Sequence, residues 1–211
     1  MFENHFVINL DKDKDRWLHM QAELPKIGIT KPNRFSAIRR KDGRIGCSMS
    51  HLMCLKTAQA NSWDHVVIFE DDVCFTDAAL LVQKIKTIYA AHNFDVLMCA
   101  YNAFAPHFDV DADVIHVSKS FCSAMYIVKK HYYTRLIENI KEGIALLKKT
   151  GDIVFSLDSF WIKLQQRDLF LAINPPVVTQ LSGYSNLLNK KVDYDDVLLN
   201  NNKTITKPFF P

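Results

Sequence analysis

Short apolar runs alternate with longer amphipathic stretches along the whole chain. "HFVINL" (5–10) reads as a strand, and "DKDKDRWLHMQAEL" (11–24) as a helix with Asp11 or Asp13 at its N-cap and Pro25 ending it. "NRFSAI" (33–38) is a second strand. Residues 48–60 carry Leu52, Leu55 and then Ala58 or Gln59 at three- and four-residue steps, the period of a helix. "HVVIF" (65–69) is apolar throughout, as in a strand covered on both faces. Asp77 caps a helix whose Leu81, Ile85 and Ile88 share one face. "FDVLMCA" (94–100) is another buried strand, and "DVIHV" (113–117) and "CSAMYIV" (122–128) read as a pair of strands. Helices follow over 131–149 and 158–166, and "LFLAI" (169–173) is the last strand, before Pro175 and Pro176. Strands that alternate with helices predict an α/β fold, a sheet flanked by helices on both faces.

The strand at 65–69 runs directly into Glu70, Asp71 and Asp72. Ligands of such sheets bind beyond the carboxyl ends of the strands, where this triplet falls. Adjacent like charges need a cation among them. In an extended chain Glu70 and Asp72 would share one direction and Asp71 the other. Carboxylates there suit a hard ion such as Mg²⁺ or Mn²⁺, which leaves positions for substrate phosphates. A solvated acidic turn is the plainer alternative. A receiver-type phosphorelay domain also holds Mg²⁺ on adjacent acids, but the strand at 94–100 ends in Cys99, Ala100 and Tyr101, where the phosphoacceptor aspartate should be. A haloacid-dehalogenase-like phosphatase needs a nucleophilic aspartate at the position of Glu70.

Composition narrows these classes. The 211 residues are 48% hydrophobic, enough for a single domain with a real core. The 26 Lys plus Arg exceed 23 Asp plus Glu by only three, which does not argue for a nucleic-acid partner. The basic cluster Arg39, Arg40, Lys41 and Arg44 is local, in keeping with a solvated loop. Five scattered cysteines without a C-x-x-C pair point to free thiols in a reducing compartment. A charge-dense N-terminus and the lack of a long apolar run predict a cytoplasmic chain with no membrane span. The sequon at Asn202 is a chance-level match.

Six blocks in order resemble glycosyltransferase family 25, which includes bacterial lipooligosaccharide and animal procollagen galactosyltransferases. They are "VINLDKDKDRW" (7–17), "GRIGCSMSHLMCLK" (43–56), "VVIFEDDV" (66–73), "SAMYIVKKHYYTRLI" (123–137), "LDSFW" (157–161) and "NPPVVTQLSGYSN" (174–186). The resemblance spans nearly the whole chain and implies a GT-A-type, Rossmann-like mixed sheet. It implies inverting, metal-dependent transfer of a hexose, galactose or glucose, from a UDP-sugar to a hydroxyl on a glycan or hydroxylated protein side chain. A relative that binds the nucleotide sugar without turnover is the alternative within the family.

The resemblance also distributes roles. Asp72 is expected as the ligand of Mn²⁺ or Mg²⁺, with Glu70 and Asp71 near the metal or the donor ribose. Asp158 is the candidate base, although a plain helix N-cap would also suit it. Asn9 and Asp11 are placed near the nucleotide base, with Arg16 for a phosphate or a structural carboxylate. Ser48, Ser50 and His51 are expected to open a helix whose free N–H groups meet an anion, with His51 on the donor or pinning the loop. Trp161 fits core packing better than sugar stacking. Many GT-A enzymes take a late histidine as a further ligand, yet no histidine follows His131, so that place falls to Gln180 or water. Residues 187–211 read as a lid or a flexible tail, in which Asp193, Asp195 and Asp196 are either solvated or meet the Arg39–Arg44 loop.

Overall fold

The computed structural model describes residues 1–185, 190–200 and 203. Eight strands form one mixed sheet: β1 (His5–Asn9), β2 (Arg34–Ser36), β3 (His65–Glu70), β4 (Val96–Met98), β5 (His107–Asp109), β6 (Val114–Val117), β7 (Met125–Lys129) and β8 (Phe170–Ile173). Their order is β2-β1-β3-β7-β4-β8-β6-β5. β1 is parallel to β2 and β3, β8 is parallel to β4, and β7 runs antiparallel between β3 and β4. β6 is antiparallel to both β8 and β5, so six of the eight strands end on the same side.

Four long helices cover the sheet: α1 (Lys14–Glu23), α2 (Gly43–Ala60), α3 (Ala78–Ala91) and α4 (Tyr133–Thr150). The strand period of two divides the core. Phe6, Val66, Ile68, Tyr126 and Phe170 pack with Cys54 and Leu55 of α2 and Leu136 and Ile140 of α4. Val7, Val67, Phe69, Ile127 and Leu171 pack with Met20 of α1 and Leu81 and Ile85 of α3. These two apolar layers are why β3 and β7 read as continuous hydrophobic runs. The doubly covered α/β sheet expected from the pattern is the observed fold.

Several local expectations need correction. The stretches at 113–117 and 122–128 are not a pair. β6 lies between β8 and β5, and β7 lies between β3 and β4, because Tyr126 and Ile127 have apolar layers to fill on both faces. The first α-helix stops at Glu23, just before Pro25 as expected, but Pro25 does not end helical turns altogether. It sits within a 3₁₀ turn, Leu24–Ile27, where a proline costs no hydrogen bond, and Gly28 stops the turn at φ 87°. The chain after Pro176 forms a further strand, Val178–Gln180, antiparallel to Val73–Phe75. α2 begins at Gly43 rather than at 48, because Asp42 caps it by accepting the Arg44 N–H at 3.0 Å. Most of 187–211, read as a lid or tail, lies outside the described residues, as does Asn202. Among the described residues no helix is long and apolar enough to cross a membrane.

Candidate active site

Register places the first site residues. Ile8 pairs with Glu70 across β1 and β3, so Asn9 and Asp71 leave the sheet side by side. Asn9 Nδ2 donates to Asp71 Oδ2 at 2.7 Å. Glu70 continues the face of Ile68, toward α2, and Asp71 continues the face of Phe69, toward α1.

The cation among the acids is a side chain. Arg16, one turn into α1, donates from Nη1 to Asp71 Oδ1 at 3.0 Å and to Asp72 Oδ2 at 2.9 Å. The expectation that Asp72 would share a direction with Glu70 therefore fails. The strand ends at Glu70, residues 71 and 72 form a turn, and the extended alternation stops there. The other Asp72 oxygen accepts from Gln180 Nε2 at 2.9 Å, a bond across 108 positions made by the ribbon of Val73–Phe75 and Val178–Gln180. Asn9, Asp71, Arg16, Asp72 and Gln180 thus form one network over the open end of the sheet. Asp72 is 6% exposed, and burial and the neighbouring Glu70 push its carboxyl up to about 6 despite Arg16. Burial also raises Asp71, against the pull of Asn9 and Arg16.

Glu70 faces a different environment. Its Oε1 accepts from Ser123 Oγ at 2.7 Å and lies 3.4 Å from His51 Nε2. Burial raises its carboxyl, but His51, Ser123 and Arg16 outweigh that and leave it below its ordinary value. Ser123 reaches Glu70 because the Glu70 N–H bonds Ala124 O at 2.7 Å as β7 begins.

Asp158 comes from the far end of the chain. A short helix, α5 (Leu157–Phe160), starts with Ser156 at the N-cap position, so Asp158 is not the cap. Its Oδ2 instead accepts the Cys122 N–H at 3.1 Å, and burial pushes its carboxyl above the ordinary aspartate value. Cys122 is held at φ 81°, a left-handed conformation that costs a non-glycine residue about 1–3 kcal/mol. A cavity of about 200 Å³ is lined by Cys47, Glu70, Cys122, Asp158 and Gln180, with Phe121 and Leu198 among its apolar walls. The structure thus brings Glu70, Asp158 and Gln180 together at one pocket.

The other expected residues stand as follows. Asp11 is exposed and accepts from Arg34 at 2.7 Å and Ser36 at 2.9 Å, at the rim of the Asn9 network. Ser48, Ser50 and His51 do not open α2. They lie a turn or more inside it, where the backbone N–H groups are already used. Ser48 Oγ donates to Arg44 O at 2.9 Å. Ser50 Oγ donates to Gly46 O at 2.9 Å and accepts the Ile38 N–H at 2.8 Å, pinning the incoming loop. A Cβ on Gly46 would lie 2.4 Å from Ile38 O, so only glycine lets that loop cross the helix. His51 is buried and stacked on Tyr126, its Nδ1 2.8 Å from the Tyr126 hydroxyl. Trp161 is also buried, edge-on to Tyr126 and Phe170, with its N–H on Ser120 O. It packs the core. Asp195 accepts from Thr179 and Asp193 from Ser182, rather than meeting Arg39–Arg44, whose Arg44 pairs with Asp42.

The family model described as glycosyltransferase family 25 (LPS biosynthesis protein) matches residues 41–148, about half the chain, from the basic loop through most of α4. The chain belongs to glycosyltransferase family 25. The family-25 match spans the Gly46–His51 segment, the acid triplet and Cys122–Ser123, and it removes the receiver-type and phosphatase readings. In fold, this transferase is similar to A197 from STIV, at 11% identity and TM-score 0.52, over 100% of both chains. It is also similar to a glycosyltransferase involved in the glycosylation of the major capsid of PBCV-1, at 10% identity and TM-score 0.51, over 82% of this chain and 81% of that one. No curated protein sequence matches it. The GT-A-like α/β architecture expected from the sequence is the one observed.

Cys47, Cys122, Ser123 and Tyr126 are site residues that the sequence reading passed over. Cys47 had a readable signal, since it stands four residues before His51 on one helix. The left-handed backbone of Cys122 had none.

Proposed function

We propose that this glycosyltransferase is an inverting enzyme that moves a hexose, galactose or glucose, from a UDP-sugar to a hydroxyl on a glycan or a hydroxylated protein side chain. The observation that carries this reading is the Asp158 carboxylate, half-buried in the wall of the pocket that Glu70 also lines and held there by the Cys122 N–H. Burial that favours its protonated form makes it a better proton acceptor than an ordinary aspartate. In the reaction, the acceptor hydroxyl oxygen bonds to the anomeric carbon as its proton passes to Asp158. The bond from that carbon to the diphosphate oxygen breaks, and UDP leaves with the electron pair. At about 200 Å³ the cavity is smaller than typical ligand sites of about 300–1,000 Å³, in keeping with one sugar ring inside and the nucleotide beyond it.

Arg16 carries a fixed positive charge beside this end of the sheet and suits the departing diphosphate. With Asp72 Oδ2 on Arg16, Asp72 offers a hard cation its Oδ1, beside the Gln180 carbonyl once that amide turns over. Asp72 and Gln180 would hold Mn²⁺ or Mg²⁺, which when bound neutralises charge on the leaving group.

The test is a thermal-shift titration with UDP and Mn²⁺, followed by UDP release from UDP-glucose, UDP-galactose and UDP-GlcNAc. Stabilisation with release from one of the hexose donors supports the proposal. Stabilisation without release from any donor identifies a nucleotide-sugar binder, and no response to UDP overturns the donor assignment.

A further inference from the structure

Cys47 and His51 stand four residues apart on α2, so both side chains leave the same side of the helix. Glu70 comes off β3 toward that side. One ligand atom from each of the three side chains lies within 4.8 Å of the others, and among the described residues no other group of three His, Cys, Asp or Glu side chains meets that condition. Asp71 and Asp72, the acids tied to Arg16, are not part of it.

A second observation points to an occupant. His51 is 0% exposed, and its Nε2 makes no hydrogen bond but faces the Glu70 carboxylate at 3.4 Å. The rest of the ring is fixed, stacked on Tyr126 at 5.7 Å between centroids, with Nδ1 2.8 Å from the Tyr126 hydroxyl. When Nδ1–H donates to that hydroxyl, Nε2 keeps its lone pair and aims it at Glu70. Metal-binding histidines are oriented in this way, one nitrogen held by an outer partner and the other on the ion. Glu70 has such a partner too, in the Ser123 hydroxyl.

The distances agree. Two ligands each about 2.0–2.1 Å from a tetrahedral ion lie roughly 3.4 Å apart. His51 Nε2 and Glu70 Oε1 are 3.4 Å apart. Cys47 Sγ lies within 4.8 Å of both, so filling the third position requires its side chain to rotate toward them.

We propose that Cys47, His51 and Glu70 form a binding site for a borderline-soft divalent cation of the zinc class, with its fourth position open to the pocket that holds Asp158. One sulfur, one imidazole nitrogen and one carboxylate oxygen select Zn²⁺ over Mg²⁺ or Mn²⁺. The Cys47 thiol gives its proton to solvent on binding, and the thiolate and Glu70 together balance the 2+ charge. This site is separate from the hard-cation position at Asp72 and does not depend on the choice of sugar donor.

The test is a Co²⁺ titration of the whole chain, read by absorption. A thiolate-to-cobalt band in the near ultraviolet, with strong visible bands of a four-coordinate ion, is expected at one equivalent. Zn²⁺ should displace it and Mg²⁺ should not. The band should vanish in Cys47→Ser and persist in Cys74→Ser, which removes the other thiol–imidazole pair, Cys74 Sγ 3.6 Å from His19 Nε2. Tyr126→Phe should weaken Zn²⁺ binding about 10–100-fold, as loss of an outer partner does. Because a variant can fail to fold, the unaltered protein supplies a second readout: Zn²⁺ should protect Cys47, and not Cys74, from alkylation measured by peptide mass. A band that survives Cys47→Ser or is lost in Cys74→Ser overturns the proposal. So does a Cys47 alkylation rate that Zn²⁺ leaves unchanged.

Discussion

Replacing Asp72 by asparagine should stabilise the protein at neutral pH while destroying its proposed metal-dependent activity. The carboxyl is 6% exposed and titrates at about 6, against about 3.9 for an aspartate in an unfolded chain. A shift of that size corresponds to about 3 kcal/mol between the two protonation states. Its sign follows from linkage. A folded-state value above the unfolded one means that the folded protein binds the proton more tightly, so the added stability is full below about pH 4 and is lost as pH rises through 6. At pH 7 the ionised carboxylate therefore costs about 3 kcal/mol relative to its neutral form. An asparagine side chain cannot ionise, and its amide oxygen can still accept from Arg16 while its N–H donates to the Gln180 carbonyl once that amide turns over. At about 2–4 °C per kcal/mol for a chain of this size, Asp72→Asn should melt roughly 6–12 °C above wild type at pH 7 and close to it at pH 4. Thermal or urea unfolding from pH 4 to pH 8 in the presence of a chelator measures both curves. Parallel curves, or a variant less stable than wild type at pH 7, would refute the reasoning.

Other consequences can be checked separately. Asp158→Asn should lose transfer by about 100-fold or more while UDP affinity is unchanged, and near-native turnover would move the base elsewhere. Gly46→Ala places a methyl 2.4 Å from Ile38 O, a backbone atom, and should cost about 1–3 kcal/mol in urea unfolding. A change under half of that lower bound would show that the loop yields freely. Cys122→Gly and Cys122→Ala both remove the sulfur, but only glycine relaxes at φ 81°. The glycine variant should be the more stable by about 1 kcal/mol, and equal stabilities would argue against backbone strain there.

The apolar periodicities carried the fold because each strand and helix on the sheet owes its position to burial. β3 and β7 announced themselves as continuous runs because both of their faces are covered. Neighbour relations were less visible. β6 and β7 looked like partners from their closeness in sequence, whereas pairing is settled by which strands complete the two apolar layers. At the site, Glu70 and Asp71 diverge as strand alternation requires, and Asp72 breaks the rule at the first turn residue. Arg16 was named for a phosphate or a carboxylate, and no local pattern says that one guanidinium serves two aspartates 55 and 56 positions away. The Gly-Cys-x-x-Ser-His signature is legible in retrospect. Gly46 lets the loop cross, Ser50 pins it, and Cys47 and His51 face Glu70. Each task needs a different residue at a fixed helical spacing.

β8 is the last of the eight sheet strands in sequence order, yet it lies inside the sheet, between β4 and β6. Until residues 170–173 leave the ribosome, those two strands each expose an unpaired backbone edge in the middle of the sheet. A transcript cut short before that point yields an aggregation-prone open sheet rather than a smaller working enzyme. The same segment carries the chain on to Gln180, so closing the sheet and completing the Asp72 network depend on one short stretch of chain.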